Sequence, residues 1–203
     1  PASTVYFRVE DPPRSVMFLW DTSASVIRYY DTIYNTLGAY VEGVTPGREV
    51  ANFLPFGGEP LLNEWGEQPA SLQQVLNDYD RSDFSSSAEE GLLAATLALA
   101  DREGTRAVVI LTDAASSSYQ LTAELWTALA SVQPRIFAVH IVMPSNALEQ
   151  PANEQDLMQS WASVNGGYYD YLRSDADMEI AFERAAIWLR RPARYHFTAE
   201  VAY

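Results

Sequence analysis

The sequence contains no cysteine, which excludes disulfides, thiolate metal sites and thiol nucleophiles, and leaves both cytosol and cell exterior open as compartments. It also contains no lysine: all 13 basic residues are arginine, against 27 acidic ones, for a formal net charge of −14. A surface of that sign repels phosphate backbones and anionic lipid, so nucleic acid is not an expected partner. Neither histidine, His140 or His196, lies near a candidate nucleophile, so neither a serine-type nor a thiol-type triad has a base to offer. No apolar run is long enough to cross a bilayer, and membrane insertion by this segment is not expected. The opening Pro1, with no signal peptide, reads as the start of an excised or processed segment of a larger multidomain protein.

What is present is a globular composition, 48% hydrophobic and 20% charged over 203 residues, enough for one well-buried core. Val16 to Trp20 is an unbroken apolar run stopping at Asp21, the pattern of a central parallel strand covered on both faces. Ala107 to Leu111, stopping at Thr112-Asp113, and Ile136 to Val142 read the same way. Val50 to Phe56 carries Pro55, which demotes it to an edge strand or a bulge. Helical spacing links Ile27, Tyr30, Ile33, Tyr34, Leu37 and Val41, and helices are predicted near 72–76, 92–99, 121–132, 157–164 and 177–189. A short strand is expected over 168–172. This alternation predicts an α/β fold, a doubly wound and mainly parallel sheet flanked by helices.

The ends of the chain differ from that core. Val5, Phe7 and Val9, and again Tyr195, Phe197, Ala199, Val201 and Tyr203, alternate with polar residues and predict two extra terminal strands. The expected organisation is one α/β domain over 14–191, with 1–13 and 192–203 as flanking strands of an adjoining β-rich region.

Ligands of open parallel sheets bind outside the carboxyl ends of the strands. The first core strand delivers Asp21-Thr22-Ser23-Ala24-Ser25 to that edge, and the 107–111 strand delivers Thr112-Asp113. Two carboxylates gathered without a base either take up a proton or share a cation, and the hydroxyls of Ser23 and Ser25 favour the cation. An oxygen-only donor set suits a hard ion, Mg²⁺ or Mn²⁺ first, with Ca²⁺ also compatible. The bland alternative for these residues is the capping of helices and turns, but capping does not predict two acids at strand ends with hydroxyls in this order. No glycine lies within 21–25, which disfavours a phosphate-binding loop. His140, inside an apolar strand, is expected to be a satisfied core residue, and His196 a solvated one.

Asp21-Thr22-Ser23-Ala24-Ser25 matches the DxSxS signature of von Willebrand factor A (vWA) domains and integrin inserted domains, where it opens the metal ion-dependent adhesion site (MIDAS). The stretch Ser86-Ser87-Ala88-Glu89-Glu90-Gly91-Leu92 resembles the threonine loop of that family, with Ser86 in the threonine's place. Asp113, in Val108-Val109-Ile110-Leu111-Thr112-Asp113, stands at the family's aspartate position. The likeness spans roughly 14–191, with all three elements in order. It implies a Rossmann-like vWA fold and a non-enzymatic adhesion or assembly module. The metal would be held by Asp21, Ser23, Ser25, Ser86 and Asp113, and would coordinate a Glu or Asp of a protein partner. It also implies an extracellular or cell-surface setting, with loops 57–68, 80–87 and 114–120 setting specificity. Two rival readings use the same residues: a Mg²⁺-dependent hydrolase with Asp83 as its spare acid, and a structural vWA scaffold within a larger surface protein. Two departures from the family pattern are Ser86 in place of threonine and Ala114 after Asp113 in place of glycine.

Overall fold

The structure is a computed structural model that describes residues 3–80, 87–114, 122–141, 152–172, 174–191 and 194–201, the side chains of 3–10, 152–154, 175 and 194–201 excepted. Among these residues the chain runs β1 (Ser3–Glu10), β2 (Arg14–Trp20), a 3₁₀ segment (Ala24–Tyr29), α1 (Tyr30–Glu42), β3 (Glu49–Pro55), α2 (Pro69–Asp78) and α3 (Ala88–Ala98). It continues with β4 (Thr105–Thr112), α4 (Ala123–Val132), β5 (Arg135–Ile141), α5 (Ala152–Ser163), β6 (Tyr168–Leu172), α6 (Asp175–Leu189) and β7 (Arg194–Val201).

Five strands form one parallel sheet in the order β3-β2-β4-β5-β6. Its centre is β2, β4 and β5, whose unbroken apolar runs are what a strand needs when both faces are dry. Side chains alternate between the faces. Val16, Phe18 and Trp20 of β2 join Val109 and Leu111 of β4 in one core, which also holds Ile33 and Leu37 of α1, Leu72 of α2 and Phe182 of α6. Met17 and Leu19 join Val108 and Ile110 in the opposite core, closed by Leu92 of α3, Leu125 and Leu129 of α4 and Trp161 of α5. Helices therefore cover both faces, and the sheet is doubly wound as expected.

Pro55 sits at the end of β3, and β3 is an edge strand, the position a residue without an N–H tolerates. That edge is covered rather than open. Ala51 and Gly66 exchange backbone hydrogen bonds of 2.8 and 2.9 Å, Leu61 donates its N–H to the Phe53 carbonyl, and the Asn52 amide clamps both backbone groups of Leu62.

The 24–29 segment departs from the helical spacing predicted through Ile27. It is 3₁₀, with three residues per turn, so Val26 and Tyr29 face the core at i, i+3 and Ile27 is left 52% exposed. The terminal strands pair with each other rather than with the parallel sheet. β1 and β7 form a two-stranded antiparallel ribbon in register from Ser3↔Val201 to Glu10↔Arg194.

Candidate functional site

The carboxyl edge of the sheet is built by β2 and β4 side by side. Their register pairs Trp20 with Leu111, and the Asp21 N–H donates to the Leu111 carbonyl at 2.8 Å, so the residues just beyond the strands remain adjacent. Asp21 and Asp113 are each only 2% exposed.

Asp21 is held by both of its oxygens. Oδ1 accepts the Ser23 backbone N–H at 2.7 Å, which folds the start of the loop back over the carboxylate, and Oδ2 accepts the Thr112 hydroxyl at 2.6 Å. Thr112 in turn accepts the Ala114 N–H at 2.9 Å, so a single hydroxyl ties the 112–114 turn to Asp21. In that turn Ala114 takes φ of +54°, a left-handed conformation uncommon for a residue with a Cβ. The hydroxyls of Ser23 and Ser25 lie 2.8 Å apart on the exposed side of the same loop. Thr22, buried, donates its hydroxyl to the Phe56 carbonyl at 3.3 Å and fixes the loop to the end of β3.

The electrostatics are those of two buried acids whose charges oppose each other. Burial pushes the Asp21 carboxyl above the usual range; the hydrogen bonds from Ser23 and Thr112 oppose that, and the charge of Asp113 adds to it. Tyr30, in the first turn of α1 and 6% exposed, has its hydroxyl pushed up to about 12 by burial and then by the Asp21 charge. His140 is fully buried, with its ionisation depressed to about 4, chiefly by desolvation.

The structure thus brings Asp21, Ser23, Ser25 and Asp113 to one strand edge. Ser86 lies outside the described residues, as do Asp83 and 115–120. Among the described residues no three of His, Asp or Glu gather as a metal cluster. A site here would instead combine two carboxylates with hydroxyls, and such a donor set fits a hard divalent cation. The Asp21 carboxylate accepts hydrogen bonds from the Ser23 backbone, the Ser23 side chain and Thr112, and its two oxygens together offer about four lone-pair sites. Thr112 received no site role from the sequence, because its bond to Asp21 depends on cross-strand register, for which a sequence has no local signal.

The architecture is that of the vWA fold, and solved structures agree. The vWF domain of the type V pili tip protein Mfa5 from Porphyromonas gingivalis superposes with a TM-score of 0.67 at 10% identity, covering 91% of this chain and 98% of that one. The pilus adhesin SpaC from Lactobacillus rhamnosus GG gives 0.72 at 12% identity over 93% of this chain, which spans 32% of the adhesin. The manganese-loaded TRAP protein of Plasmodium vivax gives 0.62 at 14% identity, with 100% of this chain and 82% of that one covered. No protein-family model and no curated protein matches the sequence. The chain folds as a vWA-like domain, and its structural neighbours include adhesins and pilus proteins.

Proposed function

We propose that this domain is a divalent-cation-dependent protein-binding module. Asp21, Ser23, Ser25 and Ser86 would hold Mg²⁺ or Mn²⁺, with Asp113 contributing directly or through water, and the ion would take a Glu or Asp carboxylate from a protein partner. The observation that carries this reading is the burial of Asp21 and Asp113, each 2% exposed, at adjacent strand ends where Asp113 raises the cost of ionising Asp21. A shared cation removes that repulsion and suits the neighbouring hydroxyls. That a structural neighbour is manganese-loaded supports the choice of ion, and the pilus and adhesin neighbours support adhesion or assembly at a cell surface rather than catalysis.

The β1–β7 ribbon belongs to the same proposal. An isolated two-stranded ribbon is marginal in water, so residues 1–13 and 192–203 are assigned to an adjoining β-rich region of a larger protein, with 14–191 as the metal-dependent module.

Calorimetric titration with Mg²⁺ and Mn²⁺ tests the site. One-to-one binding is expected for the wild type and none for Asp21→Ala; a pull-down from surface extracts should then be abolished equally by EDTA and by that substitution. A wild type that takes up neither ion would leave the domain a structural scaffold.

A further inference from the structure

His140 has two connections that a core histidine filling space would not need. It lies on β5 opposite Thr112 in the β4–β5 register and opposite Tyr171 in the β5–β6 register, at the carboxyl edge. Its Nδ1 is 2.9 Å from the Tyr169 hydroxyl, and its ring meets Tyr171 edge-on at 5.6 Å. The ring also hydrogen-bonds the Asp113 backbone in the sense that favours its protonated form, so the ring nitrogen donates to the Asp113 carbonyl. The arrangement requires the tautomer in which Nε2 donates to the Asp113 carbonyl and Nδ1 accepts from the Tyr169 hydroxyl.

The 112–114 turn is therefore gripped at two points. The Thr112 hydroxyl holds the Ala114 N–H from the β2 side, and the His140 ring holds the Asp113 carbonyl from the β5 side. Ala114 in a left-handed conformation is the kind of backbone that persists only when its surroundings over-determine it. A peptide fixed at both its carbonyl and the following N–H has no freedom to rotate, and the Asp113 side chain leaves the backbone at the Cα from which that peptide starts.

We propose that His140, oriented by Tyr169, is a positioning residue for the cation site: it fixes the peptide that carries Asp113 and so extends the site's support to β5 and β6. This rests on the metal-binding reading given above. Outer partners of metal ligands typically change affinity by 10–100-fold when removed.

The experiment uses two readouts on the full chain and the variants His140→Ala, His140→Gln and Tyr169→Phe. Amide hydrogen exchange without metal reports the clamp itself. In His140→Ala and Tyr169→Phe the Ala114 N–H should exchange about tenfold faster while amides of β2 and β4 keep wild-type protection. His140→Gln, whose side-chain amide can still donate toward the Asp113 carbonyl, should recover part of the loss. Calorimetry with Mn²⁺ should show affinity weakened by about tenfold in His140→Ala, less in Tyr169→Phe, and partly restored in His140→Gln. Unchanged Ala114 exchange in folded His140→Ala would overturn the clamp, and so would a uniform rise across the sheet, which marks lost stability alone. Faster Ala114 exchange in His140→Ala with unaltered Mn²⁺ affinity would overturn its role in positioning. Failure of the wild type to bind Mn²⁺ would remove the metal reading and this role with it, while exchange would still decide whether the clamp exists.

Discussion

Arg190 closes on Glu49 with two hydrogen bonds, Nε to Oε2 at 3.1 Å and Nη2 to Oε1 at 3.2 Å, across 141 residues of sequence. The pair sits at the end of the sheet opposite the candidate metal site, where β3 begins and α6 ends. Glu49 is 1% exposed and also faces Arg14 at 3.5 Å; Arg14 pairs with Asp11, and Asp11 with Arg48. Arg190 further donates to the Tyr40 carbonyl and lies over the Tyr40 ring. The network therefore joins the segments through which the chain leaves the β1–β7 ribbon and returns to it.

Glu49→Gln should be costly. It leaves Arg14 and Arg190 facing a neutral group in a buried setting, and removing one partner of a buried pair typically costs 3–5 kcal/mol, of which the partial exposure of Arg190 screens some. A loss of about 3 kcal/mol is expected, a fall in Tm of roughly 6–12 °C for a chain of this size. Thermal melting followed by circular dichroism checks it, and a shift under about 3 °C would mean the network adds little.

Asp21→Asn should separate stability from metal binding. Asparagine keeps an acceptor for the Ser23 N–H and removes the buried charge whose ionisation is opposed by burial and by Asp113. In metal-free buffer at pH 7.5 the variant should be at least as stable as wild type, because a carboxyl with a raised folded-state pKa destabilises the fold as pH rises above its ordinary unfolded value, and fully so beyond the raised one. The same variant should lose Mn²⁺ binding, and any change that Mn²⁺ makes in the emission of the adjacent, fully buried Trp20 should vanish with it. A large fall in metal-free stability would mean that hydrogen bonds, not charge, dominate at Asp21.

Acid should weaken the metal-free fold through His140. Its folded-state pKa of about 4 lies below the ordinary 6.5, so between those values the unfolded chain binds the extra proton and the folded one does not. Stability is fully present above pH 6.5 and is lost as pH falls towards and below 4, by about 2 kcal/mol at pH 5 and about 3 kcal/mol in total. The groups facing the ring are Tyr169, Tyr171 and the Asp113 residue, while Asp21 contributes with the opposite sign. Urea unfolding at pH 7.5 and pH 5 of wild type and His140→Gln isolates the histidine, since the Asp21 contribution is common to both. Equal pH dependence in the two would contradict the burial of an uncharged ring.

These residues also mark what could be read from one dimension. The strands β2, β4 and β5 announce themselves because dry faces on both sides demand unbroken apolar runs, and the point where each run stops places Asp21 and Asp113 at a strand end. Pro55 foretells an edge for a similar local reason, its missing N–H. The partners of those residues do not announce themselves. That Thr112 reaches Asp21, that His140 reaches Asp113, that Arg190 finds Glu49, and that Phe7 lies opposite Phe197 are outcomes of register between segments 27 to 190 residues apart. The 3₁₀ start before α1 was hidden for a different reason: Ile27 fits a helical stripe as well as Val26 and Tyr29 fit the tighter one, and only packing selects between them.

Ala114→Gly restores the glycine usual at this position in the vWA domains that the sequence resembles. Left-handed backbone costs an L-residue about 1–2 kcal/mol, which glycine would relieve. Against that, glycine loses about 0.5–1 kcal/mol in unfolded-state entropy and gives up a methyl group, here 1% exposed, whose burial contributes about 0.8 kcal/mol. The two sides nearly cancel, so Tm should move by less than about 3 °C. The effect should appear in the turn instead. Without the Cβ, the 112–114 backbone can visit other conformations, the Ala114→Gly amide should exchange faster than in wild type, and Mn²⁺ affinity should fall because more order must be imposed on binding. If affinity rises instead, the strained alanine is opposing the bound arrangement rather than holding it ready.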